Sequence, residues 1–177
     1  MKHNFLPYTN NKIFIETGSY GGDGIMAAVN AGFRKIYSIE LSEYYFNLVA
    51  ERIEDRKLLD RVELLCGDSV DVLPIILKDI NEPCTFWLDA HWCDPNTATG
   101  KYPVPLIEEL AIIGKHHIKT HTILIDDCRL IRNKNSEWKD FKYTLQDIQN
   151  FIYVINPDYR ITYIKGLVED DILVAQV

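Results

Sequence analysis

Short apolar runs alternate with helical patterns along most of the chain. Between these runs, apolar residues recur at three- and four-residue spacing, which is typical of amphipathic helices. Strands that alternate with helices predict a parallel sheet covered on both faces. The last two runs are joined around Gly166 without a helix, so the second of them is predicted to be antiparallel. We therefore predict a seven-stranded, mostly parallel sheet in a three-layer α/β/α sandwich, with strands at residues 13–15, 36–41, 62–66, 84–89, 122–127, 160–165 and 171–177.

The helices that the pattern predicts have apolar faces toward the sheet. Ser42 is a candidate N-cap for the helix that follows the second strand. A helix at residues 105–115 is expected to direct Glu108 and Glu109 to solvent, and a long helix is expected at residues 141–155. The remaining histidines have no acid in register, and we expect them on the surface: His3, His116, His117 and His121.

Length and composition indicate one globular domain over residues 1–177, with 47% apolar and 25% charged residues. The formal net charge of −7 comes without a long basic run, so nucleic acid is a disfavoured partner. The four cysteines form no Cys-x-x-Cys pair and predict reduced thiols. No apolar run approaches the roughly 20 residues that cross a bilayer, and the N-terminus lacks a signal-peptide core. We expect a cytoplasmic protein without a membrane segment.

A glycine-rich turn follows the first strand. This strand ends in Glu16, and four glycines lie within residues 18–24, before the next helical pattern. Glycines let the backbone approach a ligand and adopt positive φ. Glu40 ends the second strand, at roughly the twenty-residue distance where an acid accepts hydrogen bonds from the two hydroxyls of a ribose. Because Glu16 would repel a pyrophosphate, the pattern favours a cationic nucleoside without phosphate.

These residues resemble the class I S-adenosylmethionine-dependent methyltransferases. Their first motif is matched by residues 16–22, and their ribose-binding acid is matched by Glu40. The resemblance implies a Rossmann-like fold and S-adenosylmethionine as the cofactor. The alternative is a glycine-rich turn in another kind of α/β protein. The resemblance implies the following cofactor-binding residues: Glu16, Gly18, Ser19, Tyr20, Gly22, Glu40, Leu41, Asp68, Ser69 and Asp89.

Asp68 and Ser69 follow the third strand. The resemblance implies that they lie against the adenine ring. Either residue could instead cap the next helix, and both roles could hold together.

Acids also end the fourth and fifth strands. Asp89 follows the fourth strand, and Asp126 and Asp127 end the fifth. Carboxylates that converge repel one another unless a cation lies between them, and hard oxygen ligands select Mg²⁺ or another divalent cation. The arrangement resembles the metal-dependent O-methyltransferases, and especially the macrocin and novobiocin-type sugar O-methyltransferases. This resemblance implies metal ligation by Asp89, Asp126 and Asp127. A solvated strand end is the alternative for the last two.

The sequence departs from those sugar enzymes at one position. Their strand-four motif is Leu-Asp-Gly-Asp, whereas residues 88–91 of this chain read Leu-Asp-Ala-His. The second acid is their proposed base, and His91 stands in its place. Histidine, with an ordinary pKa of about 6.5, can take a proton at neutral pH. We therefore expect His91 and Asp89 to be catalytic. His91 could instead bind the metal or support a ligand, and Asp89 could only orient the cofactor's amino group.

The expected reaction is methylation of a hydroxyl on a sugar or another small polyol. Acceptor recognition is expected from the loop at residues 92–104, from the basic segment at residues 129–139, or from a partner subunit in a homo-oligomer. Three cations in the basic segment would suit the phosphates of a nucleotide sugar: Arg129, Arg132 and Lys134. The alternatives are methylation of nucleic acid or protein, and a non-catalytic cofactor-binding subunit.

Overall fold

A computed structural model describes residues 4–91, 98–133, 135–136 and 138–177. Its seven-stranded sheet has the order β3-β2-β1-β4-β5-β7-β6. Strand β7 is antiparallel to both of its neighbours, and the pairs among β1 to β5 are parallel. The predicted fold is confirmed. The strands are Ile13–Thr17 (β1), Lys35–Glu40 (β2), Val62–Cys66 (β3), Cys84–Leu88 (β4), Thr122–Ile125 (β5), Arg160–Ile164 (β6) and Ile172–Gln176 (β7).

Helices cover both faces of the sheet and give it two apolar cores. The first core packs α3, α4 and α6 against one face, and the second packs α1, α2 and the N-terminal segment against the other. Strands β1, β4 and β5 are buried along their whole length, which explains their nearly continuous apolar sequence. The helices are Asp23–Ala31 (α1), Glu43–Asp55 (α2), Ser69–Lys78 (α3), Leu106–Lys115 (α4), Cys128–Arg132 (α5) and Leu145–Ile155 (α6), with a 3₁₀ helix at Leu6–Tyr8.

Two helices differ from the prediction. Helix α6 begins at Leu145, after a capping box in which Thr144 Oγ1 accepts from the Asp147 N–H and Asp147 accepts from the Thr144 N–H. Residues 141–144 therefore precede the helix. In α4, Glu109 faces the core at 1% exposure, so its predicted solvent position is wrong. Helix α3 continues through Pro74.

The prediction that His116 and His121 lie on the surface is also wrong. His121 Nδ1 accepts from the Cys84 N–H at 3.0 Å, so its proton lies on Nε2. This Nε2–H donates to His116 Nδ1 at 2.9 Å, and His116 Nε2–H then donates to the Ile80 carbonyl at 3.1 Å. Sequence inspection missed the pair because each ring is satisfied by the other ring and by backbone groups, and not by an acid.

The remaining expectations concern single residues and the membrane. His117 is exposed, as predicted. His3 and Lys134 lie outside the described residues, as do residues 92–97 of the loop after β4. Within the described part of the chain, no helix is both long and apolar enough to span a bilayer.

Candidate active site

A cavity of about 260 Å³ opens where the carboxyl ends of the parallel strands meet. This is the edge at which ligands bind in open α/β sheets. Three of the predicted cofactor residues, Glu16, Ser19 and Gly22, are not part of its wall. The other predicted cofactor residues line the cavity: Gly18, Tyr20, Glu40, Leu41, Asp68, Ser69 and Asp89. The predicted catalytic and metal-binding residues His91, Asp126 and Asp127 line it too.

The turn after β1 passes tightly against the end of β4. Gly18 has φ +85°, and a Cβ atom there would lie 2.7 Å from the carbonyl oxygen of Asp89. Its N–H donates to the Ile39 carbonyl of β2 at 2.9 Å. Tyr20 also has positive φ, at 44°. Glycine at position 18 thus lets three strand ends approach one another.

Glu16 supports this turn from inside the protein. Its carboxyl group is 1% exposed and accepts a 2.5 Å hydrogen bond from the Ser38 hydroxyl, which lies 2.6 Å from Ser19 Oγ. Gly24 makes room for it, because a Cβ atom there would lie 1.8 Å from Glu16 Oε1. Burial raises the pKa of Glu16 to about 8. Contact of Glu16, Ser19 and Gly22 with a cofactor stays a prediction.

Glu40 is held rigidly at the end of β2. Its Oε2 accepts from the Tyr20 N–H and its Oε1 from the Ser42 N–H, both at 2.8 Å. Burial raises the pKa of Glu40, and these backbone hydrogen bonds oppose the rise. The carboxylate also forms part of the cavity wall, where its oxygens can accept hydrogen bonds from a ligand. The carboxylate is therefore suited to two neighbouring hydroxyl groups in the cavity.

Asp68 has two structural contacts in addition to its place in the cavity wall. Its Oδ1 accepts from the Val70 N–H at 3.1 Å, which caps α3, and its Oδ2 accepts from the Lys101 N–H at 2.9 Å. Lys101 also pairs with Asp71 at 2.5 Å. The capping interpretation of Asp68 is confirmed. Its role beside an adenine ring stays a prediction, as does that of Ser69.

His91 lies between two carboxylates at the other end of the cavity. Its Nδ1 is 3.7 Å from Asp89 Oδ1, and its Nε2 is 3.3 Å from Asp127 Oδ2. The ring of Trp138 packs edge-on against the imidazole, with 5.1 Å between ring centroids. The histidine side chain is 11% exposed. Trp138, from the segment after α5, thus helps to fix a ring that the sequence predicts to be catalytic.

The predicted metal ligands lie in one cluster but fall into two groups that share Asp127. Among the described residues, possible ligand atoms lie within 4.8 Å of one another in Asp89, His91 and Asp127, and in Asp126, Asp127 and Asp171. Burial and the neighbouring carboxylates hold the pKa of Asp89 well above its usual range and raise that of Asp126 to about 7. Such a donor set fits a hard divalent cation. Cation binding itself stays a prediction.

Sequence inspection missed the pairing of Arg129 and the contribution of Asp171. Arg129 Nη1 binds Asp127 Oδ1 and lies 2.8 Å from Asp171 Oδ2. The arginine is thus directed into the acidic cluster. Arg132 instead lies over the ring of Tyr163, 5.3 Å from its centroid. Asp171 immediately precedes β7. Because an antiparallel strand begins at the edge of the sheet where parallel strands end, the predicted antiparallel direction of the last strand places Asp171 on the same edge as the other acids.

Comparisons with known proteins place this architecture among methyltransferase structures. No protein-family model matches the sequence, and no characterised protein is significantly similar to it in sequence. The O-methyltransferase TomG of Streptomyces achromogenes, in complex with SAM, superposes with a TM-score of 0.63 at 16% identity, over 94% of this chain and 73% of that one.

Two structures with bound SAH are similar to the same extent. The methyltransferase PaMTH1 of Podospora anserina gives a TM-score of 0.64 at 14% identity, over 93% of this chain and 71% of that one. An O-methyltransferase of Bacillus cereus gives 0.63 at 21% identity, over 94% and 74%. At these identities, the likeness shows a shared fold.

Proposed function

We propose that the chain is an S-adenosylmethionine-dependent O-methyltransferase. The observation that carries the proposal is a single cavity with Glu40 at one end and the Asp89–His91–Asp127 cluster at the other. A carboxylate fixed in the cavity wall suits a ribose, and an imidazole between carboxylates suits proton transfer. The shared fold of SAM- and SAH-bound methyltransferases supports the same conclusion.

The residues present fit this cofactor. Glu40 would accept hydrogen bonds from the ribose hydroxyls, and Asp68 and Ser69 would flank the adenine. Gly18 leaves the turn without a side chain at the point where β1 meets Asp89, which would face the cofactor's amino group. When bound, S-adenosylmethionine supplies a methyl group activated by a sulfonium.

The proposed acceptor group is a hydroxyl held beside His91. The imidazole would take up the hydroxyl proton, and Asp127, 3.3 Å from Nε2, would orient the ring and stabilise its charged form. A divalent cation held by Asp89 and Asp127, with Asp126 nearby, would supply a Lewis acid that lowers the pKa of the hydroxyl. This reaction needs no covalent intermediate on the enzyme.

The proposed acceptor molecule is a sugar or another small polyol. The cavity offers carboxylates beside the rings of Tyr20 and Tyr102, which are 52% and 44% exposed. Such a mixture matches a molecule with both hydroxyl groups and C–H faces. The net charge of −7 opposes binding of a nucleic-acid backbone.

Calorimetric titration with S-adenosylhomocysteine tests the cofactor site. Glu40→Gln should weaken binding at least tenfold, because the amide presents one acceptor oxygen where the carboxylate presents two. Glu51→Gln on α2, an exposed glutamate, is the matched control and should bind like the parent protein. Equal affinities for all three proteins would contradict the ribose role of Glu40.

Transfer of labelled methyl groups from S-adenosylmethionine tests the acceptor class. The acceptors to be compared are free sugars, nucleotide sugars, other polyols, total RNA and total protein, each with Mg²⁺ and with a chelator. Labelling of a sugar or polyol supports the proposal. Labelling of RNA or protein alone would replace it with the polymer alternative. Cofactor binding without transfer to any acceptor would favour the non-catalytic subunit.

A further inference from the structure

The acidic cluster at the sheet edge contains a cation of its own. Four aspartate carboxylates meet there, from the ends of β4 and β5 and from the start of β7. The guanidinium of Arg129 lies among them. The four acids are Asp89, Asp126, Asp127 and Asp171.

Arg129 occupies the inner part of this cluster. Its Nη1 bridges Asp127 Oδ1 and Asp171 Oδ2, and these two side chains are only 10% and 0% exposed. The arginine's own backbone N–H also donates to Asp171 Oδ1, at 2.9 Å. Asp171 therefore holds the residue by both its main chain and its side chain. A further hydrogen bond, from the Leu167 N–H to Asp171 Oδ2 at 3.0 Å, fixes the carboxylate.

We infer that Arg129 is a built-in counter-ion that fills the inner group, Asp126–Asp127–Asp171, and so confines a divalent cation to the outer group, where Asp89 and Asp127 would bind it beside His91. The inference deepens the proposed function, on which it rests for the use of that cation. Arg129 would thus determine which of two overlapping cation sites is occupied.

The competition follows from shared ligand atoms and from charge. Asp127 Oδ1 and Asp171 Oδ2 already bind the guanidinium, so a metal on either oxygen would have to share it with the positive charge of Arg129. A divalent cation at the inner group would also lie close to the guanidinium in a poorly solvated region, where like charges repel strongly. The second oxygen of Asp127 faces His91 instead. It is available to the outer group with Arg129 in place.

The same contacts oppose an acceptor-binding role for Arg129. To bind a phosphate through Nη1, the guanidinium would have to leave two buried carboxylates, and a buried charge that loses its partner is costly. Arg132, over the ring of Tyr163, has no such tie to the acids in the described structure. It provides a matched control from the same helix.

Binding of Mn²⁺ to the cofactor-free protein, followed by the loss of the free-ion EPR signal, tests the inference. Arg129→Gln should open the inner group and raise Mn²⁺ affinity at least tenfold, or add a second bound ion. Arg132→Gln should bind Mn²⁺ like the parent protein. Adding Asp171→Asn to Arg129→Gln should remove the gain, because it removes an inner ligand.

Unchanged or weaker Mn²⁺ binding by a folded Arg129→Gln protein would overturn the inference, because Arg129 would then only position Asp127. If this variant fails to fold, Arg129→Lys replaces it. Lysine keeps the charge but carries it on a flexible and more strongly hydrated ammonium group, so a rise of a few-fold is expected and no rise overturns the inference. Titration with S-adenosylhomocysteine separates the two proposals: failure of the parent protein to bind it contradicts the proposed function and leaves the Mn²⁺ result standing.

Discussion

At the scale of single residues, burial decides which acids are unusual. Glu109 lies on the inner face of α4, close to the hydroxyls of Thr17 and Ser69. Glu109 Oε1, Thr17 Oγ1 and Ser69 Oγ are buried without a completed hydrogen bond in the described structure. Burial raises the pKa of Glu109 to about 7, and the two hydroxyls oppose the rise. The free-energy cost of burying this carboxyl group therefore depends on pH.

Glu109→Gln should stabilise the protein at alkaline pH. The unfolded chain releases the Glu109 proton near pH 4.5 and the folded protein near pH 7, so the stability of the parent falls as pH rises through this window. The loss approaches about 3 kcal/mol above pH 7. Glutamine has no charge to bury. Urea unfolding should show a gain of roughly 1–3 kcal/mol at pH 8.5 relative to pH 5.

The neighbouring Glu108→Gln is the control for this measurement. Glu108 lies on the same helix and is only partly buried, so its replacement should change the unfolding free energy by less than about 0.5 kcal/mol at either pH. A gain for Glu109→Gln that is the same at pH 5 and pH 8.5 would show that ionisation of Glu109 is not its cause.

At the scale of elements, the sequence predicted the strands that are buried on both faces and the direction of the last strand. Strands β1, β4 and β5 are apolar because helices cover them on both sides, and the antiparallel β7 was recognised from the missing crossover helix. Helix α5 was not recognised, because five residues are too few to show a period. The pairing of Arg129 with Asp171 depends on two segments about forty residues apart, which one sequence does not connect.

The turn between β1 and α1 gives the prediction at this scale. Gly18→Ala would force a Cβ atom to within 2.7 Å of the Asp89 carbonyl oxygen at a positive φ. The turn must move, so we expect a loss of roughly 1–3 kcal/mol in unfolding free energy and weaker binding of S-adenosylhomocysteine. Thermal melting and calorimetry measure the two effects.

Gly21→Ala in the same turn is the matched control. A Cβ atom at Gly21 meets nothing within 4 Å, and its φ is not in the left-handed region. This variant should keep the melting temperature and the cofactor affinity of the parent. Equal losses for the two variants would mean that general flexibility of the turn, and not the approach of Gly18 to β4, controls the site.

At the scale of the whole molecule, β4 joins two polar groups at opposite edges of the sheet. Asp89 follows its last residue, and the Cys84 N–H at its first residue donates to His121. The acids at one edge have raised pKa values, whereas burial lowers the pKa of His121 to about 4, with the charge of His116 acting in the same direction. Acidification therefore removes charge repulsion among the acids at one edge of the sheet, and it destabilises the neutral histidine pair at the other edge.

The histidine pair gives the corresponding prediction. The unfolded chain binds a proton at His121 near pH 6.5 and the folded protein near pH 4, so the pair's contribution is present above pH 6.5 and is lost as pH falls toward 4. His121→Gln should cost roughly 1–3 kcal/mol at pH 7.5, because the hydrogen-bonded chain is broken. At pH 5 the difference from the parent should shrink by about 2 kcal/mol, since protonation already destabilises the parent there.

Urea unfolding at the two pH values, with His117→Gln as the exposed control, measures this difference. The control should track the parent at both pH values because the His117 side chain is not part of the buried hydrogen-bonded chain. If the cost of His121→Gln is the same at pH 5 as at pH 7.5, the folded pair accepts a proton as readily as the unfolded chain does. The donor sequence from Cys84 through His121 and His116 to Ile80 would then be wrong, since every proton position in it requires two neutral rings.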